Sequence, residues 1–310
     1  MIYDVIILGA GPAGLSAGIY AARAGLNTAI IEKGQVGGQI SLTLTVDNYP
    51  GADNVPTGPD LTEKMLGQAT SFGSEFISDT INSIGLDGDI KVLKSDKEEY
   101  RTKTIIYAAG AHPRKLNIPG EKEYTGKGVA YCATCDGAFF QGADIYVVGA
   151  GDAAVEEAIF LTKFGKRVII LARGDELTAA NIIKEKAFNN EKIEIKYNTE
   201  VKEVGGGAFL EELVLENNKT GERELVQIKE GEPAFGFFVF IGYIPNTELV
   251  KDLVELERGY IKASEDTKTN VPGIFAAGDV RTKRVRQVIT AASDGAVAAI
   301  EAQRYIENLE

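Results

Sequence analysis

The chain has 310 residues with 33 Lys+Arg against 45 Asp+Glu, a formal net charge of −12. At roughly 150 residues per domain this length suggests about two domains. A content of 44% hydrophobic and 25% charged residues excludes disordered and fibrous classes. The acidity argues against wrapping nucleic acid or lying on an anionic membrane. No apolar run reaches the roughly 18–20 residues of a membrane span. The start, Met-Ile-Tyr-Asp-Val-Ile-Ile-Leu, lacks the basic region of a signal peptide and reads as a buried strand, so a cytoplasmic protein is expected. There are 35 glycines but only two cysteines, and those two lie within four residues of each other.

In chain order, a strand at 5–8 leads into Gly9-Ala-Gly11-Pro12-Ala13-Gly14, a helix that stops at Gly25, and a second strand at 28–31. The same grammar returns 140 residues later: a strand at 145–148, Gly149-Ala-Gly151-Asp152-Ala153-Ala154, a helix that stops at Gly165, and a strand at 168–171. Each copy is a βαβ unit of about 30 residues, the context that gives Gly-x-Gly-x-x-Gly/Ala its meaning. The first glycine permits the tight turn, the second lets the backbone approach a pyrophosphate, and the third lets helix pack on strand. The helix N-terminus offers free N–H groups to the phosphates. The copies differ at the end of the second strand. Glu32 can accept hydrogen bonds from an adenosine ribose, whereas its counterpart Ala172 can accept nothing, and only Arg173 beside it could meet a 2′-phosphate.

Between the copies, 34–60 is rich in turn formers and reads as a long functional loop. Residues 61–72 read as a helix, 73–107 as short antiparallel strands, and 104–109 as a buried strand ending at Gly110-Ala-His112-Pro-Arg. Pro and Gly clustering here, and again at Gly242-Tyr-Ile-Pro-Asn246, marks two domain boundaries. After the second unit, 181–190 reads as a helix, 193–228 as strands and 235–241 as an apolar strand. The chain then resumes first-domain material through Gly278-Asp279 and a final helix at 287–307. The expected fold is α/β, two Rossmann-like three-layer nucleotide-binding domains with the second inserted into the first. Residues 1–114 and 245–310 form the first domain, and 115–244 the second.

The cysteines stand in Tyr131-Cys132-Ala-Thr-Cys135-Asp136-Gly137. A structural disulfide would close too short a loop to stabilise much. Zinc needs about four ligands, and the chain offers no further cysteine and one histidine, His112. A Cys-x-x-Cys redox couple fits best. Asp136 is placed to exchange a proton with a nearby thiolate, or to cap a helix before Gly137. A dithiol moves two electrons, which a flavin at the first Gly-rich turn can supply.

These residues resemble the low-molecular-weight, bacterial-type thioredoxin reductases over nearly the whole chain. The carriers are Gly9–Gly14 with Glu32, Gly37-Gly38-Gln39, Asn48-Tyr-Pro-Gly51, Cys132-Ala-Thr-Cys-Asp-Gly137, Gly242-Tyr-Ile-Pro-Asn-Thr247, Gly278-Asp279, and Arg286-Gln287-Val288 with Thr290-Ala-Ala292. The resemblance implies FAD in the first domain, with Asp279 on the ribitol and Gln39, Asn48, Arg286 and Gln287 around the isoalloxazine. Gly38, Gly110, Gly278 and Val288 are counted with them. It implies that Cys135 takes electrons from the flavin, that Cys132 attacks the thioredoxin disulfide, and that Asp136 donates and accepts the proton. It further implies a homodimer and a rotation of the inserted domain.

One departure leaves NADPH in doubt. NADPH-using members carry His-Arg-Arg-x-x-x-Arg where this chain has Ala172-Arg173-Gly174-Asp175-Glu176-Leu177-Thr178. Each lost guanidinium removes a phosphate contact of roughly 1.5–3 kcal/mol. The electron donor therefore stands open between NADPH, NADH and ferredoxin, the last as in the ferredoxin-dependent flavin thioredoxin reductases. The run Arg281-Thr-Lys283-Arg284-Val-Arg286 could steer an acidic partner, although a solvated loop is the plainer reading and the net charge opposes an acidic ferredoxin. A peroxiredoxin-reducing relative and a non-catalytic flavin-binding regulatory protein are the remoter alternatives.

Overall fold

The computed structural model describes residues 1–42, 46, 48–52, 56–228 and 234–309. The chain divides into two compact units: Met1–His112 with Ile244–Glu310, and Pro113–Tyr243.

The first unit is built on a seven-stranded sheet. Strands Glu75–Ser78, Thr28–Glu32, Ile2–Leu8 and Glu99–Tyr107 run parallel in that order. Ile90–Ser95 and Ile81–Asp87 continue the sheet antiparallel. The strand Glu99–Tyr107 is shared. Its first half pairs with Ile90–Ser95, and its last three residues pair in parallel with Ile274–Ala276. Both faces of the sheet are covered, which is why residues 5–8 of the first strand are an unbroken apolar run with no polar alternation. Val5 and Ile7 face a core with Leu15, Ala17 and Ala21 of the helix Pro12–Arg23 and Ala298, Ala299 and Ala302 of the helix Val288–Glu307. Ile6 and Leu8 face a second core with Ile31, Ile105, Val250 and Ile261. The alanines let the two helices come close to each other; a Cβ on Gly295 would stand 2.0 Å from the Ala13 carbonyl oxygen.

The second unit has five parallel strands in the order Ile193–Lys196, Arg167–Leu171, Asp144–Val148, Gly236–Val239 and Val129–Ala130. One face carries the helices Asp152–Leu161 and Asn181–Phe188 over Ile145, Val147, Val168 and Ile170. The other carries an antiparallel layer, Thr199–Gly206, Leu210–Asn217 and Arg223–Gln227, over Tyr146, Ile169, Leu171 and Phe237. The second unit is thus a parallel sheet between a helical layer and an antiparallel layer, while in the first the antiparallel strands extend the parallel sheet itself. This is the α/β, Rossmann-like class expected from the sequence.

Element types match the sequence reading, and the differences lie in strand direction. Glu75–Ser78 falls in a stretch expected to be antiparallel but extends the parallel sheet, and Ile193–Lys196, whose direction the sequence left open, is parallel too. A four-residue strand looks the same locally in either direction; the preceding helix, which returns the chain to the same edge, decides it. Most of the long loop at 34–60 is described, including a 3-10 turn at Gly38–Leu42, while 43–45, 47 and 53–55 lie outside the described residues.

Candidate functional site

The first glycine turn joins the C-terminal end of the strand Ile2–Leu8 to the helix Pro12–Arg23. Gly9 has φ +107°, and a Cβ there would come within 2.5 Å of the Ala108 carbonyl oxygen. Gly14 packs its helix on the turn so tightly that a Cβ would stand 1.8 Å from the Gly9 oxygen. At Gly11, in contrast, the nearest neighbour of a Cβ would be the Gly37 oxygen at 3.9 Å, so this glycine leaves open space. Gly11 is also the N-cap, and no side chain caps the helix. The first N–H groups therefore face that space without a side-chain acceptor, the arrangement that suits a phosphate.

Around the turn the other expected residues converge within the same unit. Glu32 Oε2 accepts the Ala10 N–H at 2.8 Å and Oε1 accepts the Gly34 N–H at 2.8 Å. An ionised carboxylate has about four acceptor positions, so Glu32 shapes the turn and keeps capacity for a ribose hydroxyl. The Gly37 N–H donates to Ala10 O at 2.8 Å, which draws Gly38 and Gln39 alongside Gly11. Pro12 takes the first helical turn, and Ala13 touches Gly278, where a Cβ would come 2.9 Å from its own. Gly110 holds φ +68° with open space on its Cβ side, its carbonyl accepting from the Asn246 N–H. Asn48 Nδ2 donates to Gln287 Oε1 at 3.3 Å, and Gln287 in turn caps the helix that begins at Val288.

Two polar atoms here are buried without a partner among the described residues, Asp279 Oδ1 and Arg286 Nε. Buried polar atoms in native folds are normally satisfied, and an unpartnered pair beside a glycine cradle fits a ligand that brings hydroxyl and carbonyl groups. Burial pushes the Asp279 carboxyl up, against the charges of Lys283 and Arg286. The Arg286 guanidinium lies over the Tyr260 ring, 4.5 Å from its centroid. The residues present thus suit an FAD molecule: acceptors for ribose and polyol hydroxyls, and backbone N–H groups for the pyrophosphate.

The basic run is neither a solvated loop nor a steering patch. Arg281 and Lys283 are buried and ion-paired to Asp294, at 2.7 and 2.9 Å, and Arg286 stacks on Tyr260. Of the four cations only Arg284 is exposed. The sequence reading missed Asp294, although it left a trace: a carboxylate at i+3 from Ala291 and i−4 from Ala298, on the buried face of a small-residue helix.

In the second unit Cys132 and Cys135 form a disulfide with Cα atoms 5.3 Å apart. Cys132 is the N-cap of the single helical turn Ala133–Asp136, and Cys135 lies within that turn. Tyr131, just before the pair, is held twice: its hydroxyl donates to Glu121 at 2.9 Å, and its carbonyl accepts from the Tyr243 hydroxyl at 2.9 Å. Glu121 is 2% exposed and also accepts the Leu116 and Asn117 N–H groups. Neither Glu121 nor Tyr131 figured among the expected site residues. Asp136 follows the disulfide directly and is half-buried, and its carboxylate makes no cap, contrary to the capping alternative. Burial raises its pKa to about 6, which lets it carry a proton near neutrality.

The second glycine turn, in the same unit, repeats the geometry of the first. Gly149 has φ +141°, Gly151 is an N-cap without a side-chain acceptor, and the Thr178 N–H donates to Ala150 O at 2.8 Å as Gly37 does to Ala10. Asp152 accepts the Ala180 N–H at 2.7 Å, and Ala154 is buried where the third glycine stands in the first copy, while Ala153 is exposed. The reading end differs. Ala172 is fully buried, Arg173 is exposed, and Asp175 pairs with Lys219 at 3.4 Å. Among the described residues no group of three or more His, Cys, Asp or Glu could hold a metal, and no helix is long and apolar enough to cross a membrane.

Comparison with known proteins agrees with this geometry. The family model described as pyridine nucleotide-disulphide oxidoreductase matches residues 3–295. The chain is 50% identical to a thioredoxin reductase of Peptoclostridium acidaminophilum, covering 99% of this chain and 98% of that protein. It is 44% identical to one of Bacillus subtilis, covering 100% and 96%. The crystal structure of thioredoxin reductase from Streptococcus pyogenes superposes with a TM-score of 0.92 at 43% identity, covering 99% of both chains. The chain belongs to the pyridine nucleotide-disulphide oxidoreductase family, among the thioredoxin reductases, and is a flavin disulfide oxidoreductase.

Proposed function

We propose that two electrons pass from FAD, held by the first unit, to the Cys132–Cys135 disulfide and on to the disulfide of a thioredoxin. The observation that carries this reading is the Cys132–Cys135 disulfide with a half-buried, cap-free Asp136 directly after it. The FAD cofactor supplies the two-electron chemistry. Gly9, Gly11, Pro12, Ala13 and Gly14 cradle its pyrophosphate and Glu32 its ribose. Asp279 takes a polyol hydroxyl, and Gly38, Gln39, Asn48, Gly110, Gly278, Arg286, Gln287 and Val288 complete its surroundings. Reduction breaks the S–S bond and leaves two thiols after two protons are taken up. The Cys132 thiolate then attacks the thioredoxin disulfide, forming a mixed disulfide and releasing one thioredoxin thiolate. Cys135 attacks Cys132 in turn, which restores the intramolecular disulfide and releases the second thiolate. Asp136, titrating near 6, takes and returns the proton.

The donor in this reading is a pyridine nucleotide held by Gly149, Gly151, Asp152, Ala153 and Ala154 through its pyrophosphate, with its 2′-phosphate unread. The repeated phosphate turn supports the nucleotide. Ala172, Gly174 and Thr178, with Arg173 as the one remaining cation of the motif, support the loss of discrimination. The missing readers would also suit ferredoxin, but the burial of Arg281 and Lys283 removes the positive surface that favoured such a partner. The active form is a homodimer in this reading, as sedimentation velocity would show. The donor test is anaerobic mixing of the oxidised yellow protein with NADPH, NADH or reduced ferredoxin while the visible flavin band is followed. Bleaching by both nucleotides at similar concentrations is expected. Bleaching by NADPH alone at micromolar levels refutes the loss of discrimination, and bleaching by ferredoxin alone refutes the nucleotide donor.

A further inference from the structure

The loop that carries Gly278 and Asp279 is tied down by one carboxylate on the final helix. Asp294 Oδ2 accepts the Gly278 N–H at 2.9 Å, Arg281 Nε at 2.8 Å and Lys283 Nζ at 2.9 Å, while its Oδ1 accepts Arg281 Nη2 at 2.7 Å. The side chains of Asp294, Arg281 and Lys283 are each 7–9% exposed. A single buried carboxylate therefore pairs with two buried cations and also holds the backbone of the turn. Lys283 acts electrostatically on Asp279 as well, so it stands between two carboxylates of opposite use. Asp294 is saturated by the chain, whereas Asp279 keeps Oδ1 buried and, among the described residues, without a partner.

We propose that Asp294 is a positioning residue for the cofactor: it places the Gly278–Asp279 turn and Lys283 so that Asp279 presents its unpartnered oxygen to a hydroxyl of the FAD polyol chain. The inference rests on the reading of Asp279 as a cofactor ligand. Three features favour positioning over plain helix glue. The bond to Gly278 falls on the residue just before Asp279. Both cations come from the segment just after it. Lys283 then supplies, together with Arg286, the positive charge that acts on the buried Asp279 carboxylate. Without Lys283 the Asp279 carboxyl gains a proton more readily and accepts a hydroxyl's hydrogen bond less well.

The test is FAD titration of the full-length protein stripped of flavin, read by quenching of flavin fluorescence. The variants are Asp294→Asn, Lys283→Met, Lys283→Arg, Asp279→Asn and, as control, Glu301→Gln. Glu301 lies on the same helix and pairs with Lys268 and Arg304, each at 2.6 Å, away from the loop. Asp294→Asn is expected to weaken FAD binding about tenfold or more and Lys283→Met about fivefold, the scale of a charge-assisted contact. Lys283→Arg, which keeps the charge, should stay within about threefold of the native chain and Glu301→Gln within about twofold. Lys283→Met binding FAD as the native chain does, or Glu301→Gln weakening it as much as Asp294→Asn, overturns the proposal. If Asp294→Asn does not fold, the Lys283→Met and Lys283→Arg pair decides. A loss in Asp279→Asn without one in Lys283→Met sinks this inference alone; no loss in Asp279→Asn sinks the ligand reading beneath it.

Discussion

Asp136 sets activity against stability. Burial moves its carboxyl from an ordinary 3.8 to about 6 in the folded chain. Between these values the folded state binds the proton that the unfolded state has lost, so stability falls as pH rises through the window. The gap corresponds to about 3 kcal/mol at full ionisation, an upper bound on the cost of a charged Asp136 above pH 6. Asp136→Asn removes that cost while keeping the shape. Urea unfolding of the oxidised protein at pH 8 should show the variant more stable by up to about 3 kcal/mol, and the difference should shrink toward zero near pH 4. The same variant should reduce thioredoxin about a hundredfold more slowly, since the proton carrier is gone. A variant no more stable at pH 8, or a stability difference that does not depend on pH, would refute the argument.

Two further outcomes follow from the cradles. Glu32→Ala strips the acceptor from the Ala10 and Gly34 N–H groups, each a charge-assisted bond of 2.8 Å. It should cost about 1.5–3 kcal/mol in stability and lower the flavin content of the purified protein, measured by thermal melting and the visible-to-ultraviolet absorbance ratio. Gly174→Arg with Thr178→Arg restores two guanidinium groups to the second cradle. A Cβ on Gly174 would meet nothing closer than 3.7 Å, so the backbone tolerates the change. The double variant should lower the KM for NADPH about a hundredfold or more relative to NADH.

Much of the site was legible because its residues act through local sequence. Gly9, Gly11 and Gly14 sit in one turn, Glu32 follows at the end of the next strand, and Cys132, Cys135 and Asp136 occupy five consecutive positions. The loss of nucleotide readers was equally plain, since Ala172 aligns with Glu32 across the repeat. What stayed hidden depends on partners brought in by the fold. The run from Arg281 to Arg286 looks solvated until Asp294, on the next helix, is seen to pair with two of its cations inside the protein. Tyr131 has no role of its own in the sequence until Glu121 and Tyr243 are found on its hydroxyl and carbonyl. Strand direction at Glu75–Ser78 and Ile193–Lys196 was hidden for the same reason, because it is set by which edge the preceding helix reaches.

In the proposed relay Cys135 receives the electrons and Cys132 passes them to thioredoxin. Its most direct test is mixed-disulfide trapping with thioredoxin carrying an activated cysteine, using Cys132→Ser and Cys135→Ser variants. A stable adduct through Cys132 is expected in Cys135→Ser, none in Cys132→Ser, and no turnover in either. A Cys132→Ser protein that reduces thioredoxin at the native rate would contradict this relay.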